Sequence, residues 1–170
     1  MDDEAALRDF LEVRLPTLSR VAYLLTGDHH AAEDLVQSVL VKVARHWRRV
    51  TAADKPDAYV RRILYNEHVT AARRRGDSIP MAEMPDRAAD VDVADSVVRN
   101  VVLRRALMML TARQRVVLVL RFFEDLSEND TAQLLGCSPG TVKSQVHHAL
   151  RRLRTLAPEL TDLHSMAEES

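Results

Sequence analysis

Apolar residues recur at helical spacing along most of the chain. The clearest run is Ala32, Leu35, Val36, Val39, Leu40, Val43 and Trp47. Their spacing of i, i+3, i+4, i+7, i+8, i+11 and i+15 predicts one long amphipathic helix. Its outer face then carries Glu33, Asp34, Gln37, Lys42 and Arg45. An ordinary bundle helix with a solvated face gives the same pattern, so periodicity alone assigns no partner. Upstream, Phe10, Leu11, Arg14, Leu18, Val21, Ala22, Leu24 and Leu25 fit one or two helices, with an interruption expected near Pro16. Gly27 can end that segment and Asp28 can cap the next. A polar stretch, Arg48 to Asp57, ends in the start signal Pro56-Asp57. A further helix follows through Ala58, Val60, Ile63, Leu64 and Val69.

The second half has a different signature. Leu107 to Phe123 predicts two helices, the second capped by Thr111. Ser127 caps a helix over Glu128 to Leu135, Gly136-Cys137-Ser138 forms a turn, and Pro139 opens a helix reaching about Arg154. A helix-turn-helix needs a small residue at the crossing, a left-handed turn residue and an apolar anchor in the second helix. Ala132, Gly136 and Val142 supply the three. Thr141, Lys143, Ser144, Gln145, His147 and His148 then point outward, where a DNA major groove could receive them.

Composition narrows the fold. Only 4% of the 170 residues are aromatic, and Gly and Pro number 4 and 6. Leu, Val and Ala must therefore build the interior, and an all-α fold is expected. The length excludes a barrel enzyme or a dinucleotide-binding enzyme with a separate substrate domain. Cys137 is the only cysteine, so neither an intramolecular disulfide nor a cysteine-cluster metal site can form. No apolar stretch approaches the roughly 20 residues of a membrane span. With the acidic start Met1-Asp2-Asp3-Glu4, this predicts a soluble, cytoplasmic protein without membrane insertion.

Charge then divides the chain. Residues 1–75 carry net +2, 76–97 net −5, 98–156 net +6 and 157–170 net −4. The expectation is two small helical domains, 1–75 and 98–156, joined by an acidic flexible linker over 76–97. An acidic tail over 157–170 is expected to be disordered. The basic segments suit a polyanion. On the helix after Pro56, Arg61, Arg62 and the cluster Arg73, Arg74 and Arg75 lie at helical spacing, with Tyr59, Tyr65, Asn66 and His68 among them. Cations neutralise phosphates, Asn can pair with base edges, and aromatic rings can stack on unpaired bases. Many solvated helices are equally basic, so this signal is not decisive alone.

No catalytic constellation is found. Phosphate-cradling glycine loops, Ser-His-Asp spacing and HExxH are all missing from the sequence. His29-His30 and His147-His148 are adjacent pairs, and adjacent residues on a helix point apart, which does not suit a shared metal site. The expectation is a protein that is not an enzyme, without cofactor or metal.

The chain resembles the extracytoplasmic-function (ECF) sigma factors of the sigma-70 superfamily, and within them the actinobacterial sigma-E-like group. The residues carrying the resemblance are Ala32 to Gln37, Pro56 to Val60, Asn66 and Arg73 to Arg75 in the first half. In the second they are Leu110 to Arg115, Leu120 to Ser127 and Gly140 to Ser144. It covers nearly the whole chain to about Leu156. The resemblance implies a sigma factor that directs promoter-specific transcription initiation. Its partners would be core RNA polymerase (β′ and β subunits) and promoter DNA, with an anti-sigma factor as a further candidate. By position, it implies polymerase docking through Asp34, Gln37 and Val41. It implies −10 element binding through Arg48, Arg49, Lys55, Tyr59, Arg61, Arg62, Asn66, Arg73, Arg74 and Arg75. For the −35 element it implies Arg121, Ser138, Thr141, Lys143, Ser144, Gln145, His147 and His148. The chain departs from the family pattern at Tyr59, where Trp is common, and at Thr70, where Asp is common. Gln145 and His148 stand where Arg is common, which alters the expected −35 preference. A stand-alone helix-turn-helix regulator is the competing reading; it predicts a dimer that binds DNA tightly without polymerase. A helical adaptor without DNA would leave the basic clusters unexplained.

Overall fold

The computed structural model describes residues 3–76 and 95–158. Among the described residues the secondary structure is helical throughout, without strands. The first half contains α1 (Asp3–Thr26), α2 (His29–Arg45), α3 (Trp47–Thr51) and α4 (Pro56–Arg75). The second contains α5 (Asp95–Met108), α6 (Ala112–Leu118), a π-helical segment Val119–Phe123, α7 (Glu128–Leu135) and α8 (Pro139–Leu156). The acidic segment expected over 76–97 lies outside the described residues, apart from Gly76 and the start of α5. The tail beyond Pro158 lies outside them too.

The helix starts follow the capping chemistry. Asp28 accepts from the Ala31 N–H at 2.9 Å, and Ser127 and Ser138 do the same for α7 and α8. Thr111 and Gln114 form a reciprocal capping box. Gly136 ends α7 in the left-handed conformation, φ 67°, which turns the chain into the helix-turn-helix.

One expectation is corrected. α1 passes through Pro16 without interruption. Phe10 and Leu11 before it, and Leu18, Val21, Ala22 and Leu25 after it, pack on the same core. Pro16 and Glu12 are both exposed, so the carbonyl that loses its N–H partner faces water. Packing on both sides thus outweighs the proline. A second difference is at Trp47: α2 ends at Arg45, and Trp47 begins α3 instead. It packs edge-on against Phe10, with ring centroids 5.2 Å apart. The Arg14 guanidinium covers the other part of the Phe10 ring at 3.6 Å and pairs with Asp57 at the start of α4.

The main core joins α1, α2 and α4 through Val21, Leu25, Val36, Val39, Leu64 and Tyr65. Val116, Val119, Leu120 and Leu134 of the second half belong to the same cluster. Two smaller clusters stabilise the second half, one around Leu107, Leu110, Leu118 and Ala149, the other around Val117, Ala132 and Val142. The run Val116-Val117-Leu118-Val119-Leu120 therefore serves three cores in turn. This explains why it is apolar on every side rather than striped.

Candidate nucleic-acid interface

Three faces carry the expected site residues. On α2, Asp34, Gln37 and Val41 are all exposed on its outward side. Val41 is 49% exposed although apolar. A cavity of about 440 Å³ opens between α2 and α4 beside Asp34, lined also by Ser38, His68, Thr70 and Arg74. Lys42 and Glu67 form an ion pair across it.

The second face lies on α3 and α4. Arg48 and Arg49 are exposed on α3. Along α4 and its leading residue, Lys55, Tyr59, Arg62, Asn66 and Arg73 fall at i, i+4, i+7, i+11 and i+18, one stripe of the helix. Four of them are exposed and Tyr59 is half-buried. Arg74 and Arg75 end the helix in the open. The opposite side is the core face: Val60, Leu64, Tyr65, His68 and Ala72 are buried.

Two sequence readings on α4 are therefore corrected. Tyr65 is 1% exposed and cannot stack on a base, and His68 is buried as well. Both lie on the side that packs against α1, α2 and the second half. Arg61 points toward the second half, and its Nε lies 2.8 Å from Oε2 of Glu124. The Tyr65 hydroxyl faces the same carboxylate. Burial raises the Tyr65 hydroxyl well above its ordinary pKa, reinforced by the negative charge of Glu124. Burial also raises the Glu124 carboxyl, and the attraction of Arg61 offsets this only in part.

The third face is the outer side of α8. Thr141, Lys143, Ser144, His147 and His148 are exposed, and Gln145 is half-buried. Val142 and Ala149 turn inward and fix the rotation of the helix. Ser138 accepts from the Thr141 N–H, and the Ser138 and Thr141 hydroxyls lie 2.9 Å apart. Sequence reasoning missed Arg151 and Arg154. Both are exposed, and Arg151 continues the stripe of Thr141, Ser144 and His148; helical spacing alone could have shown it.

Arg121, expected at the −35 element, is half-buried. Its guanidinium donates to the Leu126 carbonyl inside its own loop, closing the connection between the π-helical segment and α7. Glu124 was also missed: its role depends on a residue 63 positions earlier. Among the described residues no group of three or more His, Cys, Asp or Glu converges as a metal site, and no helix is long and apolar enough to cross a membrane.

Two family models match the chain: Sigma-70 region 2 over residues 10–77 and Sigma-70, region 4 over residues 100–153. The RNA polymerase sigma-E factor of Streptomyces avermitilis is 36% identical over 147 residues, covering 86% of this chain and 82% of that protein. The chain belongs to the ECF sigma factors of the sigma-70 family. The ECF RNA polymerase sigma factor SigL of Mycobacterium tuberculosis is 28% identical, covering 93% of this chain and 92% of its own. Among solved structures, the sigma factor RpoE from Bartonella quintana, crystallised with the anti-sigma factor NepR, matches with a TM-score of 0.64 at 32% identity. That match covers 88% of this chain and 94% of RpoE. As a sigma factor, the protein directs promoter-specific transcription initiation by RNA polymerase. The region 2 match spans most of α1 and all of α2 to α4, and the region 4 match runs from within α5 to within α8.

Proposed function

We propose a division of labour among the three faces. The α2 face, with Asp34, Gln37 and Val41, docks on the polymerase β′ subunit. Arg48, Arg49, Lys55, Tyr59, Arg62, Asn66 and Arg73 to Arg75 capture the non-template strand of the −10 element. Cationic tracking and base contacts there offset the cost of unpairing. The α8 face, with Thr141, Lys143, Ser144, Gln145, His147 and His148, reads the −35 element as duplex, and Arg151 adds a phosphate contact. The protein supplies recognition and strand capture while the polymerase supplies the chemistry, so it acts in the cytoplasm as a non-enzymatic subunit. An anti-sigma factor covering both halves is the corresponding regulator.

The observation that carries this reading is the presence of two separate exposed basic faces, on α4 and α8, in one chain. A single-face regulator needs only the second. The test uses holoenzyme reconstituted on a promoter, with DNA opening followed by permanganate reactivity and −35 contact by footprinting. Arg62→Ala with Asn66→Ala should abolish opening and keep the −35 footprint. Lys143→Ala with Arg151→Ala should weaken the footprint. If either pair leaves both readouts unchanged, that face is wrongly assigned.

A further inference from the structure

α8 presents two adjacent histidines on its open side. His147 and His148 are both exposed, with ring centroids 5.9 Å apart and the rings edge-on. At about 100° per residue they stand about 50° to either side of the line through Ser144 and Arg151. Val142 and Ala149, buried on the far side, make that line the middle of the outward face. A helix seated in a major groove about 12 Å wide has a phosphate wall on each flank. Residues in its first turn meet base edges. The histidines, about two turns further on, face the two walls.

The charges around the pair are mostly cationic. α8 itself carries Lys143, Arg151, Arg152 and Arg154 and no Asp or Glu. Lys143 and Arg151 stand one turn to either side of His147, and Arg151 one turn beyond His148. Arg152 is turned away, donating to the Met109 carbonyl at 2.9 Å. α5, α6 and α7 pack against α8. α5 does so through Leu107, at the end far from Asp95 and Arg99; nearer, Arg104 donates to the Gly27 carbonyl at 2.8 Å and Arg105 is exposed. On α6, Arg115 is held by backbone carbonyls and Arg113 is exposed. α7 brings the carboxylates of Glu128 and Asp130. Asp130 bonds to the Ser127 hydroxyl and lines a cleft with Lys55, Tyr59 and Arg62. None of the described ion pairs involves His147, His148 or Glu128. The carboxylates beyond Pro158 lie outside the described residues. Among the described residues, then, neither imidazole has a carboxylate partner, and the phosphates of a bound duplex are the anions that meet them.

We infer that His147 and His148 are proton-linked phosphate contacts, so that the grip of α8 on the −35 duplex tightens as pH falls through the range in which imidazole gains its charge. The inference rests on the assignment of α8 given above and adds a regulation to it. Imidazole charges between about pH 8 and pH 5. A nearby opposite charge favours the charged form. Protonation and phosphate binding therefore support each other, and binding takes up protons. The sign follows: the histidine contribution to affinity is full below that range and is lost as pH rises through it. Lys143 and Arg151 stay charged throughout and supply the part that does not depend on pH. Promoter capture through the −35 element thus strengthens when the surroundings acidify.

The experiment measures the dissociation constant of holoenzyme, reconstituted with the full chain, for the promoter duplex footprinted above. It is run at about pH 6 and about pH 8 in about 0.1 M salt, where each phosphate contact is strongly salt-dependent. Ratios of variant to wild type cancel the polymerase's own response to pH. His147→Gln with His148→Gln should bind about tenfold weaker at the lower pH and within about twofold at the higher, as expected for about two phosphate contacts present only when charged. The wild-type slope of log affinity against log salt should exceed that of this variant by about one to two units at the lower pH and match it at the higher. His147→Arg with His148→Arg, whose charges are permanent, should match the wild type at the lower pH and bind about tenfold tighter at the higher. His30→Gln, at an exposed position early in α2, should give a ratio near one throughout. A Gln-pair ratio that is the same at both pH values overturns the proton linkage. Lys143→Ala separates that failure from failure of the α8 assignment. If it weakens binding at both pH values while the histidine ratios stay flat, only the linkage falls. If it and both histidine pairs leave affinity unchanged, the assignment of α8 falls and takes the linkage with it.

Discussion

Arg61 and Glu124 meet across the junction of the two halves, 2.8 Å apart, with only 5% of the Glu124 side chain exposed. A cation of α4 is thereby committed to a carboxylate of the other half. The same contact gives the junction a pH response. Burial raises the Glu124 carboxyl above its ordinary range. A carboxyl raised by packing favours the packed form when protonated. That support is complete below the ordinary carboxylate range and is lost as pH rises through the raised value. Glu124→Gln should remove the dependence. Urea midpoints of the variant and the wild type should converge at low pH, with the variant the more stable at neutral pH. Parallel curves would contradict this.

Gly27 is held at φ 70° and is also closely approached by Met108. Gly27→Ala should therefore cost about 2 kcal/mol, from the left-handed conformation and the contact together. In a Met108→Ala background the contact part should vanish, leaving about 1 kcal/mol. Urea denaturation of the four proteins in the cycle measures the difference.

Arg115 ties three carbonyls together: Leu107 at 2.8 Å, Leu110 at 3.1 Å, and Leu25 of the first half. Arg115→Ala should destabilise the protein by about 3 kcal/mol, since charge-assisted bonds are lost and part-buried carbonyls are left behind. Arg113→Ala, on the exposed side of α6, should cost less than about 0.5 kcal/mol. Thermal unfolding distinguishes the two.

The docking and reading faces should separate genetically. Asp34→Ala should weaken binding to core polymerase in a titration and leave the fold intact. Lys143→Ala and Gln145→Ala should preserve core binding and impair transcription that depends on the −35 element. Lys143→Ala should also lower the salt dependence of DNA binding by about one unit of slope, as expected for one lost phosphate contact. Equal loss of core binding in the α8 variants would reject the assignment.

How much of this was legible in the sequence depended on the range of the interactions. α2 and the helix-turn-helix followed from local rules: apolar spacing, the caps Asp28, Ser127 and Ser138, and the left-handed Gly136. Pro16 misled because its effect is local, whereas Phe10, Leu18 and Val21 are held by the tertiary core. On α4 the basic residues were visible, but the rotation of the helix was not. Tyr65 and His68 look polar enough for the surface, and only packing shows them facing inward. Arg121 reads from sequence as a surface cation, and only the fold shows its bond to the Leu126 carbonyl. The junction was invisible because Arg61 and Glu124, or Arg104 and Gly27, are far apart in sequence and each reads as an ordinary surface residue.

The central claim is that this chain confers promoter choice on RNA polymerase through both halves. Transcription in vitro, with core polymerase on genomic DNA in the presence and absence of the protein, tests it when RNA 5′ ends are mapped. The account predicts discrete new start sites, each preceded by two shared sequence blocks centred near −10 and −35. No new starts, together with sequence-specific duplex binding by the protein alone, would contradict it.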